Sequence, residues 1–541
     1  RQRHLTIPCE MCIRDSTKAP PQQKVRRTPA LMIQGTCSGA GKSVLTAGLC
    51  RILFQDGYSV APFKAQNMSN NSAVTPDGLE LGRAQATQAQ ACRLEADVRM
   101  NPVLLKPTGE TGSQVVILGK PVGVMNVQEY HAYKPQAWRA VTQAYDSLAA
   151  EHDVMVLEGA GSPAEVNLKA HDIVNMRMAR HADAKVILVG DIDRGGVFAS
   201  LAGTFDILDP DERGLVIGHA LNKFRGDASI LGPALEFLYQ RTGRPVLGTI
   251  PHLGDLALPE EDSLGLGQLR QQAASSGELD AAILDIAVIV PGRIANFNDL
   301  DPLRAEPDVR LRLVRDTREL GSPDAVILPG SKNTIDDMRE LRGAGLAAAL
   351  RSLPEPCRIV GICAGLQMLG LRVEDPHGLE SGCLCADGFG LLPIATVLER
   401  EKTLTRVRLT LPRTGQTVSG YEIHHGQTEL EDAPDLRAAI LAADAQDRPL
   451  AFGLDDAALK QTGLSRIWGT YLHGIFDEDE FRHGFLDGLR SLKGLPPLAA
   501  PRPRFGLEPA LDRLAEALRQ HLDIKRIYQA LGLGKGRGLL G

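Results

Sequence analysis

The stretch Ala30-Leu31-Met32-Ile33-Gln34-Gly35-Thr36-Cys37-Ser38-Gly39-Ala40-Gly41-Lys42-Ser43 decides how the first half of the chain is read. Ala30 to Gln34 is an apolar run with the length of a buried strand. The glycines after it let a loop turn its N–H groups toward phosphate oxygens, and a following helix adds its dipole. Val44, Leu45, Leu49, Ile52 and Leu53 fall at helical spacing behind that loop. Five residues separate Gly35 from Gly41, where the common phosphate loop has four. Gly35, Thr36, Gly39 and Gly41 are the expected nucleotide-binding backbone, Lys42 reaches the transferred phosphate, and the Ser43 hydroxyl is placed to bind magnesium.

Four more strand-like runs follow. Val154 to Leu157 ends on Glu158-Gly159-Ala160-Gly161, and an acid at the carboxyl end of a parallel strand suits a second magnesium contact. Asp77 is a looser metal candidate in a loop. Ala184 to Val189 leads to Asp191, Asp193 and Arg194; Gly214 to Leu221 leads to Asn222-Lys223, a pair able to read an adenine base; Pro245 to Ile250 is the last. Strands alternating with helical stretches predict a parallel, doubly wound α/β sheet with ligands at the carboxyl ends. Two amide-rich and basic stretches, with Lys64, Gln66 and Asn67 in one and Asn101 and Lys106 in the other, are suited to a large carboxylate-bearing substrate. Asp193 and Arg194 join that expected substrate set.

A second α/β alternation begins near residue 282, after a Gln-, Gly- and Ser-rich linker at 260–281. Its strand Arg358 to Ile362 runs into Cys363-Ala364-Gly365, a sharp strand-to-helix turn that exposes a nucleophile. The helix N-terminus there favours the thiolate. The N–H of Ala364, with one from the Gly330-Ser331 turn, is placed to stabilise an oxyanion. The cysteine needs a base, and His473 in Tyr471-Leu472-His473-Gly474 is preferred over His424 and His425. The expected division is 1–28 as a disordered or foreign extension, 29–259 as the nucleotide domain, 282–490 as the nucleophile domain, and 491–541 as a helical tail packed on the second domain.

The chain has 541 residues with a formal net charge of −6, which argues against a nucleic-acid partner. Apolar residues make up 43% and charged residues 23%, as in globular proteins, so a mainly disordered chain is excluded. No apolar run reaches the roughly 18 residues of a membrane-spanning helix. Nine scattered Cys point to a reducing, cytoplasmic compartment. Cys9 and Cys12 have a zinc-like spacing but no matching second pair. A homo-oligomer is left open. An acidic chain acting on anionic ligands needs local positive charge, and Lys64, Lys106, Arg194, Lys223 and Arg225 are expected to supply it.

The Gly35–Ser43 loop and the Glu158-Gly159-Ala160-Gly161 strand end resemble dethiobiotin synthetase-like ATPases. The G-I-C-A-G-L-Q-M-L-G turn with Y-L-H-G resembles class I glutamine amidotransferases. Their fusion in this order is similar to the cobyric acid synthase family, as are the segments at 64–72, 101–107, 158–168, 190–198, 222–227 and 328–334. The resemblance covers roughly residues 30 to 490. It implies that Cys363, assisted by His473, releases ammonia from glutamine. It further implies that ATP and Mg2+ activate carboxylates of a corrinoid, adenosylcobyrinic acid a,c-diamide, for amidation at the b, d, e and g positions. Two departures stand out. Ile475 occupies the position where many class I amidotransferases carry a Glu, so a Cys–His dyad is expected; and Cys37 lies inside the phosphate loop. The alternatives are the sister a,c-diamide synthase, against which segments 64–72 and 190–198 argue, and a regulatory P-loop ATPase with an inactive second domain.

Overall fold

A computed structural model describes residues 27–108, 112–254, 258, 282–413, 415–457, 459, 465–499, 502 and 504–534. Residues 1–26 and the linker at 260–281 lie outside these, so the expectations for Cys9, Cys12 and the linker do too. Thr28 already belongs to the folded chain, its hydroxyl donating to the Ala149 carbonyl at 2.5 Å.

The first domain is built on a six-stranded sheet in the order Val246–Pro251, Val216–Phe224, Lys185–Asp191, Ala30–Gly35, Val154–Glu158, Val60–Phe63. Every neighbouring pair is parallel. Strands covered on both faces read as continuous apolar runs rather than alternating ones, which is why they were visible in the sequence. Leu31 and Ile33 point into one core and Met32 into the other. Helix α1, Lys42–Gln55, packs behind the phosphate loop. Helix α2, Arg83–Ala91, follows a two-stranded ribbon of Ser72–Val74 and Glu80–Gly82.

The second domain carries a seven-stranded sheet ordered Val309–Val314, Leu284–Ile289, Ala325–Leu328, Arg358–Ile362, Ile467–Thr470, Pro449–Leu454, Ala438–Ala443. Its first five strands are parallel and the last two antiparallel. A long antiparallel ribbon, Ile394–Thr410 with Thr417–Leu430, reaches the first domain. There Lys402 pairs with Glu80 at 2.7 Å, and Arg406 with Glu95 at 2.8 Å.

The tail does not pack where expected. Helix Leu507–His521 lies on α1 of the first domain, with Leu511, Leu514 and Leu518 joining Leu45, Leu49 and Ile52 in one core. The reason is the outer face of α1, which is apolar and carries a cation. Arg51 is fully buried beneath the tail, bonded to Glu508 at 2.6 Å and Asp512 at 2.8 Å. Among the described residues no helix is long and apolar enough to cross a membrane.

Candidate active sites

At the carboxyl end of the first sheet the phosphate loop closes on itself. Gly41 sits at φ 92, and a Cβ there would fall 2.1 Å from the Asn222 amide nitrogen, so only glycine lets that side chain approach. Asn222 donates to the Ala40 carbonyl at 2.9 Å, and Lys223 donates to the Gly39 carbonyl at 2.7 Å and pairs with Asp191 at 3.0 Å. The Asn222-Lys223 pair therefore braces the loop. Lys42 donates to the Cys37 and Gly161 carbonyls, 3.0 and 3.2 Å away. Cys37 thus contributes its backbone, which any residue supplies.

Ser43 donates to Glu158 Oε1 at 2.8 Å, and the same carboxylate accepts from Lys64 at 2.9 Å and from Gln88 of α2 at 2.6 Å. A hydroxyl beside a fully buried carboxylate at a phosphate loop is a hard-oxygen donor set that fits magnesium. Asp77 is not brought to it. That residue is exposed in the turn joining Ser72–Val74 to Glu80–Gly82, where it accepts from the Thr75 hydroxyl.

In the second domain Cys363 has φ 53 and ψ −109, a conformation that an L residue holds only under constraint. The constraint is close packing of the turn against its neighbours. A Cβ on Gly365 would lie 1.9 Å from the Leu328 carbonyl oxygen, and Cys363 N–H donates to the Thr470 carbonyl at 2.8 Å. The turn thus seats the sulfur at the start of helix Ala364–Leu369. Gly330-Ser331 pairs with Ile294–Ala295, and Gly330 lies against His473, whose Cε1 would be 3.4 Å from a Cβ there. Cys363, Ala364, Gly330 and His473 therefore share one site.

His473 is buried, and it does not act in a bare dyad. Its Nδ1 donates to Asp299 Oδ2 at 2.7 Å, and Asp299 Oδ1 accepts from the Gly474 N–H at 2.9 Å. Burial disfavours an imidazolium, but Asp299 and the Cys363 sulfur outweigh it and raise His473 to about 10. The expected Cys–His pair is corrected to a Cys–His–Asp arrangement. The other two histidines are engaged elsewhere: His424 bonds Glu422 and the Gly426 carbonyl, and His425 bonds the Glu399 carbonyl.

The two halves match known families separately and together. Residues 31–264 match a model described as the CobQ/CobB/MinD/ParA nucleotide binding domain, and residues 285–481 one described as the CobB/CobQ-like glutamine amidotransferase domain. A cobyric acid synthase from Nitratidesulfovibrio vulgaris is 54% identical, over 94% of this chain and 99% of that relative. The chain belongs to the cobyric acid synthase family. Another member, from Moorella thermoacetica, is 47% identical over 93% of this chain and 97% of its own length. A crystal structure of a glutamine amidotransferase covers 39% of this chain and 99% of its own, at 17% identity and a TM-score of 0.28.

The substrate residues expected of a cobyric acid synthase divide into two groups. Lys64 is spent on Glu158, and Asn67 donates to Gln85 of α2 at 3.1 Å. Gln66 accepts from the Tyr130 hydroxyl at 2.5 Å. Asn101 is a structural bracket, its amide bonded to the Lys64 and Val103 carbonyls and to the Gly82 N–H. Lys106 is buried against Glu80 and Ser72 at the joint with the second domain, and burial lowers it to about 7 despite Glu80. Asp193 and Arg194 are exposed near the nucleotide loop, paired loosely with Arg225 and Asp191 at 3.5 Å each. The positive field is thus narrower than the sequence suggested: Arg194 and Arg225 stay exposed, while Lys64 and Lys106 are internally neutralised.

Asp299 was missed. It lies in Asn296-Phe297-Asn298-Asp299-Leu300-Asp301-Pro302, where two acids sit among apolar and amide neighbours just after a strand. A stretch that puts acids into a buried environment needs cationic or donor partners. That was the available signal.

Proposed function

We propose that the protein converts adenosylcobyrinic acid a,c-diamide to cobyric acid by glutamine- and ATP-dependent amidation of the b, d, e and g carboxylates. The observation that supports this most directly is the Cys363–His473–Asp299 arrangement, fused in one chain to a phosphate loop with a Ser43–Glu158 oxygen pair. Cys363 attacks the glutamine carboxamide carbon while the Ala364 and Gly330-Ser331 backbone holds the oxyanion. His473 passes a proton to the departing ammonia, and Asp299 keeps the imidazole oriented. Water then cleaves the glutamyl thioester and restores the thiol.

In the first domain Gly35, Thr36, Gly39, Gly41 and Lys42 would hold the nucleotide phosphates, and Ser43 and Glu158 would hold magnesium. Bound Mg·ATP supplies the phosphoryl group that turns a carboxylate into an acyl phosphate, from which ammonia displaces phosphate. A carboxylate alone is a poor electrophile, so this activation is what an amide-forming enzyme needs.

The test is incubation with ATP, glutamine and each corrinoid acid, followed by mass analysis of the products. Amidation of the a,c-diamide is expected; reaction of unamidated cobyrinic acid alone would reassign the protein to the sister reaction. Cys363→Ser should abolish glutamine use and spare ammonia-driven amidation. Lys42→Ala should abolish amidation from either nitrogen source.

A further inference from the structure

His473 belongs to the second domain, yet two of the residues that touch it, Tyr421 and Asn296, are themselves contacted from the first. Tyr421 stacks on the His473 ring at 5.2 Å between centroids and 21° between planes, and the two residues exchange backbone hydrogen bonds of 2.9 and 3.1 Å. The Arg83 guanidinium, from the first turn of α2, sits 5.6 Å from the centre of the Tyr421 ring and 3.8 Å from Asp477. On the other side, the Ser72 N–H donates to Asn296 Oδ1 at 3.0 Å, and Asn296 Nδ2 lies 3.4 Å from His473 Nε2. The imidazole is therefore held from the nucleotide domain both behind its ring and beside its reactive nitrogen.

The same helix reaches the other site. Gln88 lies five residues after Arg83, a rise of about 7.5 Å along α2. It is buried and donates to Glu158 Oε2 at 2.6 Å, on the carboxylate that Ser43 also touches. Gln85, between them, accepts from Asn67. Of the nine residues of helix α2, the first, Arg83, reaches toward the glutaminase site through Tyr421, and the sixth, Gln88, touches the phosphate-site carboxylate. Helix α2 is thus a physical connection from Glu158 to Arg83 along which the two sites can be coupled.

We propose that Arg83 is a positioning residue for the glutaminase base His473, supplied by the nucleotide domain, and that α2 couples occupancy of the phosphate site to glutamine hydrolysis. This rests on the two-site reading above. Arg83 acts through Tyr421: the cation over one face of the ring fixes the tyrosine, and its other neighbour is the imidazole. Asp477 fixes the guanidinium in turn. The arrangement gives the enzyme a way to release ammonia when the site that consumes it is loaded.

The experiment uses the full-length protein and its Arg83→Gln and Arg83→Lys variants. Glutamine hydrolysis is measured without nucleotide and with magnesium plus a non-hydrolysable ATP analogue, alongside ammonia-driven amidation and thermal unfolding. Arg83→Gln should lower glutaminase kcat about tenfold while KM for glutamine stays within about threefold. The analogue should stimulate wild-type hydrolysis about fivefold or more, and not stimulate Arg83→Gln. Arg83→Lys should recover most of the lost rate, and ammonia-driven amidation should persist in both variants.

A kcat in Arg83→Gln equal to wild type overturns the proposal, as does an intact response to the analogue. Equal impairment of both variants together with a lowered melting temperature also overturns it, because that is the signature of a purely structural contact. Glutamine hydrolysis that survives Cys363→Ser would instead remove the two-site reading beneath it.

Discussion

Replacing Asp299 with Asn tests the catalytic arrangement at its least visible member. Asn has the shape of Asp and can keep the 2.9 Å bond from the Gly474 N–H. Its other terminal atom then becomes an NH2 group facing His473 Nδ1, where the native carboxylate accepts at 2.7 Å. The imidazole loses both its orienting acceptor and its counter-charge. Both partners are essentially fully buried, and removing one member of a buried ion pair costs about 3–5 kcal/mol. If that whole cost appears in the barrier, at about 1.4 kcal/mol per factor of ten, glutaminase kcat falls by about two to three and a half powers of ten. The pH dependence should move as well. His473 is raised to about 10 in the folded protein, above its ordinary value of about 6.5. Stability from the imidazolium is therefore full below pH 6.5 or so and is lost as pH rises through about 10. With Asn, burial acts without the opposing carboxylate and lowers His473, so the alkaline limb of the rate profile shifts to lower pH. The unfolding penalty of the variant should also shrink between about pH 6.5 and 10. The assay is glutamate release from pH 6 to 10, with ammonia-driven amidation as the check that the first domain is intact. Hydrolysis within threefold of wild type, or an unmoved alkaline limb, would refute the reasoning.

Gly365→Ala places a Cβ 1.9 Å from the Leu328 carbonyl oxygen, so the elbow must open; glutaminase activity should be lost while Mg·ATP binding, followed by calorimetry, stays near wild type. Glu158→Gln removes the buried charge that Ser43 and Lys64 contact, and should weaken calorimetric binding of Mg·ATP about tenfold or more; unchanged affinity would move the metal site elsewhere. Leu514→Ala empties a fully buried position on the tail helix, where it packs on α1, and should cost about 2–5 kcal/mol in urea unfolding, with loss of nucleotide binding preceding loss of glutaminase activity. The opposite order would contradict the packing of the tail on the first domain.

The central strands of both sheets were legible because a strand buried on both faces declares itself as an apolar run, and chemistry collects where such a run stops. Ala30–Gly35 with its loop, Val154–Glu158 and Arg358–Ile362 with Cys363 are all of this kind. The ribbon Ile394–Thr410 with Thr417–Leu430 was not legible. It alternates buried and exposed residues over part of its length and then turns outward to meet the first domain, so it has no uniform pattern. The tail helix was legible as amphipathic, but amphipathicity says that a face is covered and not by what. Its acids Glu508 and Asp512 find Arg51 more than 450 positions away, and nothing local to either segment names the other.

The same limit separates the residues of the glutaminase site that were found from those that were not. Cys363 and His473 are read from their own neighbours, because a nucleophile needs a strained turn and a base needs to end a strand beside it. Asp299 and Tyr421 owe their roles to His473, which is 174 positions from the first. Their sequence mark is indirect: a charge or a ring within a stretch that folding will bury. A buried carboxylate cannot stay uncompensated, so its presence predicts a remote cation or donor, and the buried His473 imidazole bonded to Asp299 is a side chain that protonation makes cationic. Ile475 showed that the usual acid was missing from its usual place. The need for an acid remained, and it is met from a different strand end, by a residue close enough to the domain joint that Asn296, three positions before it, bonds the nucleotide domain directly. Moving the acid from the segment after His473 to the Asn296–Asp301 segment therefore ties the orientation of the base to the fit between the two domains.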